Sequence, residues 1–325
     1  MTLVLRDREV SDLVTMPDAV AALREAMAAE ARGRVLYAER SNLRLPGGWM
    51  RMAPAALLDE GVVGYKEFHL AGGGIRFTIR LFDAATGAPL AEMDGRHLTA
   101  VRTGASGGLG IDALAPPGPA DVAVIGSSDT AFRQLEGAAA VRPLRAVRVF
   151  SPNPANREAL AARAGADLGL AVEPVASAQA AVDGAGVLLV ATDTKGRGPC
   201  VGGDLLRPGL HVNSIGSTLP DQREVDEGAW KLADRIVVDT LGVLRDSGDA
   251  LAAVAAGVHE EDRVATLADV LAGDAPGRRA ATDVTLYKSV GTSAQDVAVA
   301  LVAYRRATAD GRGTQVADFV SVKQD

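Results

Sequence analysis

Between Asp121 and Asp239, short apolar runs recur, most of them separated by stretches of helical spacing. Asp121–Ile125, Ala146–Phe150, Ala171–Val175, Gly186–Val190, Gly209–Asn213 and Arg235–Asp239 read as strands. Thr130–Val141, Asn156–Ala164 and Ser177–Asp183 read as helices, with Ser177 as a cap for the last. Repeated strand–helix units build a parallel sheet whose strands are buried. Right-handed crossovers then place helices on both faces, giving a doubly wound domain.

The flanking residues follow other rhythms. Thr15 and Pro17 mark a helix start, and Val20, Leu23 and Met27 follow at helical spacing. Gly61–Lys66 and Phe77–Phe82 read as strands of antiparallel hairpins, with a turn from Asp83 to Gly87. The small-residue stretch Arg102–Ala113 reads as a helix, and Ala115-Pro-Pro-Gly-Pro119 after it is the expected domain boundary. A C-terminal helix, Ala294–Asp310, is expected to pack back on the first domain.

Composition excludes several classes. A net charge of −7 argues against nucleic acid as a partner, since phosphate binding needs a basic surface. The single cysteine, Cys200, excludes an internal disulfide and a cysteine-rich metal site. His69, His97, His211 and His259 are scattered, so no metal is expected. Charges interrupt the first residues, so they do not read as a signal peptide, and no apolar run approaches ~20 residues. No membrane span is expected, and the cytoplasm is the expected compartment. Aromatic residues are only 4% of the chain, so the core must rest on Ala, Val and Leu.

The first strand of the parallel region ends in Gly126-Ser127-Ser128-Asp129-Thr130-Ala131. In the dinucleotide fingerprint G-x-G-x-x-G/A, Gly126 takes the tight-turn position and Ala131 the small third position. Ser128 stands where the middle glycine usually lets backbone approach the pyrophosphate. A serine still offers its N–H and hydroxyl to phosphate at a helix N-terminus. The other reading is an ordinary strand–helix turn that binds nothing. The second strand leads into Ser151-Pro-Asn153, without the acidic residue that NAD-selective sites use on the ribose. Ser151, Asn153 and Arg157 suit a 2′-phosphate instead, which favours NADP(H) over NAD(H); alternatively they are a polar helix start with a solvated arginine.

An ordered series of motifs now stands out: Leu98-Thr-Ala-Val-Arg102-Thr103-Gly-Ala105, Val124-Ile-Gly126, Val190-Ala-Thr192, Gly209-Leu-His-Val-Asn-Ser214-Ile-Gly216, Arg223-Glu224-Val-Asp226, Ile236-Val-Val-Asp239, Ser247-Gly248 and Tyr287-Lys288-Ser289-Val-Gly291. With this series the chain resembles the ornithine cyclodeaminase/mu-crystallin family along nearly its whole length. The resemblance implies an α/β fold in which a Rossmann doubly wound parallel sheet is inserted into an α+β dimerisation/substrate domain formed by both chain ends. The inserted NAD(P)-binding domain is then 117–291, and 1–116 plus 292–325 form the other. It also implies a homodimer, NAD(H) or NADP(H), and a small imino or amino acid substrate.

The resemblance assigns residues as well. Arg102 matches the carboxylate-binding arginine, and guanidinium grips carboxylate bidentately. Arg40 looks like a second substrate arginine. Lys66 falls at the active-site lysine, which binds the carboxylate or donates a proton near the imine nitrogen. Read without the family, Arg102 is a salt bridge at a domain junction and Lys66 a strand-edge lysine facing water. Thr103, Thr192, Ser214, Gly216, Lys288 and Ser289 match positions around the cofactor, while Gly291 and Asp296 shape the return to the first domain. Arg76, Arg80 and His69 lie in the hairpins, as binders of a second carboxylate or as solvated strand residues.

One departure bears on the reaction. Cyclodeaminases carry an aspartate where this chain has Thr218, and Asp221 lies across Pro220. Threonine is no general base at neutral pH without activation. Glu224 fits a family position of structural type. The expected activity is therefore imine (ketimine) reduction or amino-acid dehydrogenation. The alternatives are an ornithine or lysine cyclodeaminase with another acid replacing the missing aspartate, or a non-catalytic NADP-binding protein, which Ser128 would favour. Cys200 reads as a bystander.

Overall fold

The computed structural model describes residues 1–317 except 39, 195 and 259–262. Packing divides the chain into two compact units, Met1–Arg102 with Thr292–Asp325, and Thr103–Gly291.

The first unit begins with β1 (Thr2–Leu5), α1 (Asp7–Leu13) and α2 (Met16–Ala31). Thr15 caps α2 as read from the sequence, in a reciprocal box: its N–H donates to the Asp18 carboxylate at 3.0 Å and its hydroxyl accepts from the Asp18 N–H. The strands β2 (Val35–Tyr37), β3 (Ser41–Leu45), β4 (Gly48–Leu57), β5 (Val62–Ala71), β6 (Gly74–Asp83) and β7 (Pro89–Asp94) follow. From β4 to β7 they form an antiparallel meander, and β1 joins β7 in parallel. Next comes α3 (Arg96–Leu114).

The division between units falls inside α3, ahead of the Pro-rich turn where the sequence placed it. Glycines explain this. A Cβ at Gly107, Gly108 or Gly110 would lie 2.8 Å from the Asn213 side chain, 2.7 Å from the Gly137 carbonyl and 2.6 Å from the Tyr287 ring, respectively. The small residues of α3 sink it into the second unit, so its C-terminal part packs there before the backbone turns at 115–119.

The second unit runs β8 (Ala120–Ile125), α4 (Asp129–Val141), β9 (Leu144–Phe150), α5 (Pro154–Leu168), β10 (Val172–Pro174), α6 (Ala178–Val182), β11 (Val187–Val190), β12 (His211–Ser214), α7 (Glu227–Leu232), β13 (Arg235–Val238), α8 (Val243–Asp246), α9 (Gly248–Ala255), β14 (Val264–Thr266), α10 (Leu267–Ala272) and β15 (Thr285–Lys288). Its strands pair in parallel in the order β10-β9-β8-β11-β12-β15-β13-β14. Alternate residues of β8 feed two cores: Val122 and Val124 join Leu135 and Val147 on one face, while Ala123 and Ile125 join Leu188 and Trp230 on the other. This is the mixed α/β fold with a parallel, doubly wound sheet that the strand rhythm implies. The sequence reading missed β14 and β15. Thr-Leu-Tyr-Lys in β15 is fully buried yet polar at both ends, so it forms no apolar run.

The chain then returns to the first unit as α11 (Ser293–Ala309) and β16 (Thr314–Val316), which pairs antiparallel with β1. Arg306 of α11 grips the Asp18 carboxylate with both Nη atoms, at 2.5 and 2.6 Å, tying α11 to α2. No helix among the described residues is long and apolar enough to cross a membrane.

The closest helix approach gives a test. A Cβ at Gly137 of α4 would lie 2.0 Å from the Gly104 carbonyl of α3, a backbone atom that cannot swing away. Gly137→Ala is expected to cost ~1–3 kcal/mol in urea unfolding. Gly165→Ala in α5, where the nearest atom is 3.7 Å away, is expected to stabilise by up to ~1 kcal/mol. Equal effects at the two positions would contradict this packing.

Candidate active site

Lys66 sits mid-strand in β5, on the face that meets α11: a Cβ on its neighbour Gly64 would lie 3.1 Å from Val297. Lys66 is 4% exposed, and its Nζ is 2.7 Å from Oδ2 of Asp296. The other oxygen of the same carboxylate, Oδ1, accepts from Arg102 Nε at 2.9 Å. Arg102 Nη1 also donates to Gln295 Oε1 at 3.3 Å. Asp296 lies in the first turn of α11, capped by Thr292, where exposed helix amides favour negative charge. One buried carboxylate thus serves two buried cations. Arg40, just ahead of β3, adds a third positive charge that Lys66 feels.

Burial pushes the Lys66 ammonium down, Asp296 opposes this, and the charges of Arg102 and Arg40 push it down again, to about 8. Burial alone would raise the Asp296 carboxyl, but Lys66 and Arg102 outweigh it and hold the group below its usual range. The cluster therefore carries more positive than negative charge in a place shielded from water, an arrangement that an incoming anion stabilises. The structure brings together Lys66, Arg102 and Arg40, which the sequence reading singled out, with Asp296, to which it gave only a role in chain return. An acid in the first turn of a helix is too common to stand out.

In the second unit, the turn after β8 opens on a cleft of about 610 Å³, lined by the loops after β8, β9 and β11. Gly126 has φ +119°, and a Cβ there would lie 2.2 Å from the Ala191 carbonyl, so the position demands glycine. The Ser128 hydroxyl caps α4, accepting from Ala131 N–H at 3.2 Å and donating to the Ala191 carbonyl at 3.2 Å. The hydroxyl of the residue that replaces the middle glycine is thus engaged by protein groups, although the residue itself is exposed. Ser127 donates to the Ser151 hydroxyl at 2.9 Å, Asn153 caps α5, and Arg157 donates to the Ser151 carbonyl at 2.9 Å. Asp129 pairs with Arg163 at 2.7 Å, and Thr130 is half-buried in the first turn of α4. Loop amides, hydroxyls and a helix N-terminus at the carboxyl ends of parallel strands suit a dinucleotide.

A model of the ornithine cyclodeaminase/mu-crystallin family matches residues 1–311. The chain belongs to this family. It is 32% identical to alanine dehydrogenase of Archaeoglobus fulgidus, over 98% of this chain and 99% of that protein. Its fold is similar to that of Thermococcus litoralis Δ1-pyrroline-2-carboxylate reductase, solved with NADH and L-proline (TM-score 0.91, 32% identity, 97% of this chain and 100% of that one). It is also similar to iminosuccinate reductase of Paracoccus denitrificans, solved with NAD+ (TM-score 0.90, 26% identity, 97% and 99% covered).

Thr192, Ser214 and Lys288, three of the remaining family positions, meet in a buried network around Glu224. Glu224 Oε1 accepts from both the N–H and the hydroxyl of Thr192, at 2.5 and 2.9 Å, while Oε2 accepts from Ser214 Oγ at 3.0 Å and Ser217 N–H at 2.9 Å. Lys288 Nζ lies 2.8 Å from Asp249 and 3.7 Å from Glu224, and donates to Ser214 Oγ at 3.1 Å. Ser289 donates to Asp239 at 2.7 Å. Ser214, Lys288 and Ser289 are fully buried, and these contacts are to protein groups. A Cβ at Gly216 would lie 2.3 Å from Glu224. Thr103 is half-buried on α3 at the start of the second unit. The sequence reading gave Glu224 a structural place and missed Asp249.

Elsewhere, Thr218 engages Gln222 through its backbone N–H, and Asp221 is exposed. His69 and Arg76 face one another across β5 and β6, and Arg80 pairs with Glu92. Burial pushes the Cys200 thiol up to about 11, so it is not a reactive thiolate at neutral pH.

Asp296→Asn leaves Lys66 and Arg102 without their shared carboxylate and is expected to cost ~3–5 kcal/mol in denaturant unfolding. Because the folded carboxyl is held below its usual value, its contribution is present at neutral pH and fades as pH falls through the carboxylate range. The stability gap between wild type and variant should therefore narrow in acid; a gap that stays constant would contradict the assignment.

Proposed function

We propose that this family member is an NAD(P)-dependent oxidoreductase acting on the C–N bond of α-imino and α-amino acids, as an imine (ketimine) reductase or amino-acid dehydrogenase. The observation that carries this reading is the buried set Lys66, Arg102 and Asp296, whose cations outnumber its carboxylate. The dehydrogenase and the two reductases to which the chain is similar support the reaction class.

Arg102 and Lys66 hold the substrate carboxylate, and Arg40 adds to the attraction. When bound, the reduced nicotinamide supplies a hydride to the imine carbon and leaves oxidised. The electron pair of the C=N bond moves to nitrogen, which takes its proton from Lys66 or from water. A lysine whose proton leaves at about 8 is matched to that transfer near neutral pH. Gly126, Ser127, Ser128, Asp129 and Thr130 form the pyrophosphate turn. Ser151, Asn153 and Arg157 receive the adenosine ribose, and with no acid there the preference is NADP(H) over NAD(H). Thr103, Thr192 and Gly216 shape the nicotinamide end, while Ser214, Lys288 and Ser289 act by holding the strand ends beneath it. In this reading residues from both chain ends form a substrate and dimerisation domain, and the protein is a homodimer. Cyclodeamination lacks its acid, because Thr218 supplies none.

The test follows NADH and NADPH oxidation with Δ1-pyrroline-2-carboxylate. Turnover is expected, with kcat/KM falling as pH rises above about 8, because the protonated Lys66 is the working form. Arg102→Ala is expected to lower kcat/KM by ~30-fold or more, the cost of losing a charged hydrogen-bond pair, while nucleotide affinity is kept. Ammonia release from ornithine without imine reduction would overturn the proposal.

A further inference from the structure

The sheet face that carries Lys66 continues past the start of α11. Ser293, the first residue of that helix, donates to the Pro54 carbonyl at 2.7 Å, which fixes the helix end beside Ala53 and Lys66. One step further along the strands, Phe68 lies between Arg51 on β4 and Phe77 on β6, and the next step holds Trp49, Leu70 and Ile75. Phe68 and Phe77 stack with centroids 5.5 Å apart, and Trp49 meets Phe68 edge-on at 5.3 Å. Lys66 Nζ stands 5.0 Å from the Phe68 centroid. Arg51 lies over both Trp49 and Phe68, at 5.2 and 5.9 Å.

The chain has few aromatics, and it leaves these three half-buried beside the buried Lys66. Such rings cost water-exposed apolar surface unless something covers them. Resting on the reading above, we propose that Phe68 and Phe77 are the floor of the side-chain subsite, and that it takes an α-imino acid with a large, planar, apolar side chain. With the carboxylate held at Lys66 and Arg102, a side chain leaving the imine carbon runs onto Phe68. A flat ring stacks there, whereas a methyl group leaves the floor wet. Lys66 and Arg102 put positive charge at the start of the path, which disfavours the cationic side chains of ornithine and lysine.

The experiment compares imines formed in solution from methylamine with phenylpyruvate or with pyruvate, using the full-length protein and the nucleotide that it prefers. The phenyl imine is expected to show kcat/KM at least ~10-fold above the methyl imine. The ratio is expected to fall at least ~10-fold in Phe68→Ala and by less in Phe68→Leu, a selectivity change that loss of structure alone does not produce. If Phe68→Ala does not fold, the wild-type ratio and the Phe77→Leu ratio decide. Equal or better use of the methyl imine by the wild type overturns the subsite while leaving imine reduction standing. An unchanged ratio in a Phe68→Ala protein that loses its oligomeric state also overturns it, and assigns the aromatic face to contact between copies. Failure of both imines with a bound nucleotide overturns the underlying reading instead.

Discussion

Asp296 is the contact on which the first unit turns. Burying Lys66 and Arg102 without an anion would cost several kcal/mol per charge. The anion comes from α11, almost at the far end of the sequence, so the C-terminal helix must dock on β5 before the lysine is tolerable there. Yet one carboxylate between two cations leaves the balance positive. The same shortage that makes the cluster costly to fold makes it receptive to a carboxylate ligand. Burial, with the charges of Arg102 and Arg40 adding to it, brings the lysine proton down to about 8.

The second unit solves a related problem with the opposite sign. Lys288 lies between Asp249 and Glu224, and the surplus negative charge is absorbed by amides and hydroxyls: Asp249 takes two backbone N–H groups and Glu224 takes four donors from Thr192, Ser214 and Ser217. These bonds fix the loops at the ends of β11 and β12 from below. Gly126 and Gly216 do the complementary work, since neither position leaves room for a Cβ. The cleft is therefore shaped by buried charge and by missing side chains together.

Much of this was legible in the sequence. The apolar runs of β8, β9, β11, β12 and β13 announce a parallel sheet because strands covered by helices on both faces read as continuous apolar runs. Lys66 and Arg102 were legible through the motifs around them. Asp296 was not, because its importance lies in partners far away in sequence. β15 was hidden because Thr285 and Lys288 satisfy their polar groups inside the protein, against His211, Ser214 and Asp249. The break at 115–119 marks where the backbone bends, whereas the glycines of α3 decide where packing divides. Ser128 looked like a lost glycine, but its hydroxyl caps α4. The aromatic cluster was invisible because Trp49, Phe68 and Phe77 meet only through strand register.

The central claim is that Lys66 and Arg102 form a carboxylate site in which the lysine proton is poised near pH 8. The most direct measurement is calorimetric: binding of pyrrole-2-carboxylate to the nucleotide-bound protein, in buffers of differing ionisation heat. An added anion raises the lysine pKa, so the account predicts proton uptake on binding near pH 8, little uptake well below it, and none in Lys66→Met. Binding without proton uptake near pH 8, or the same uptake in Lys66→Met, would contradict it.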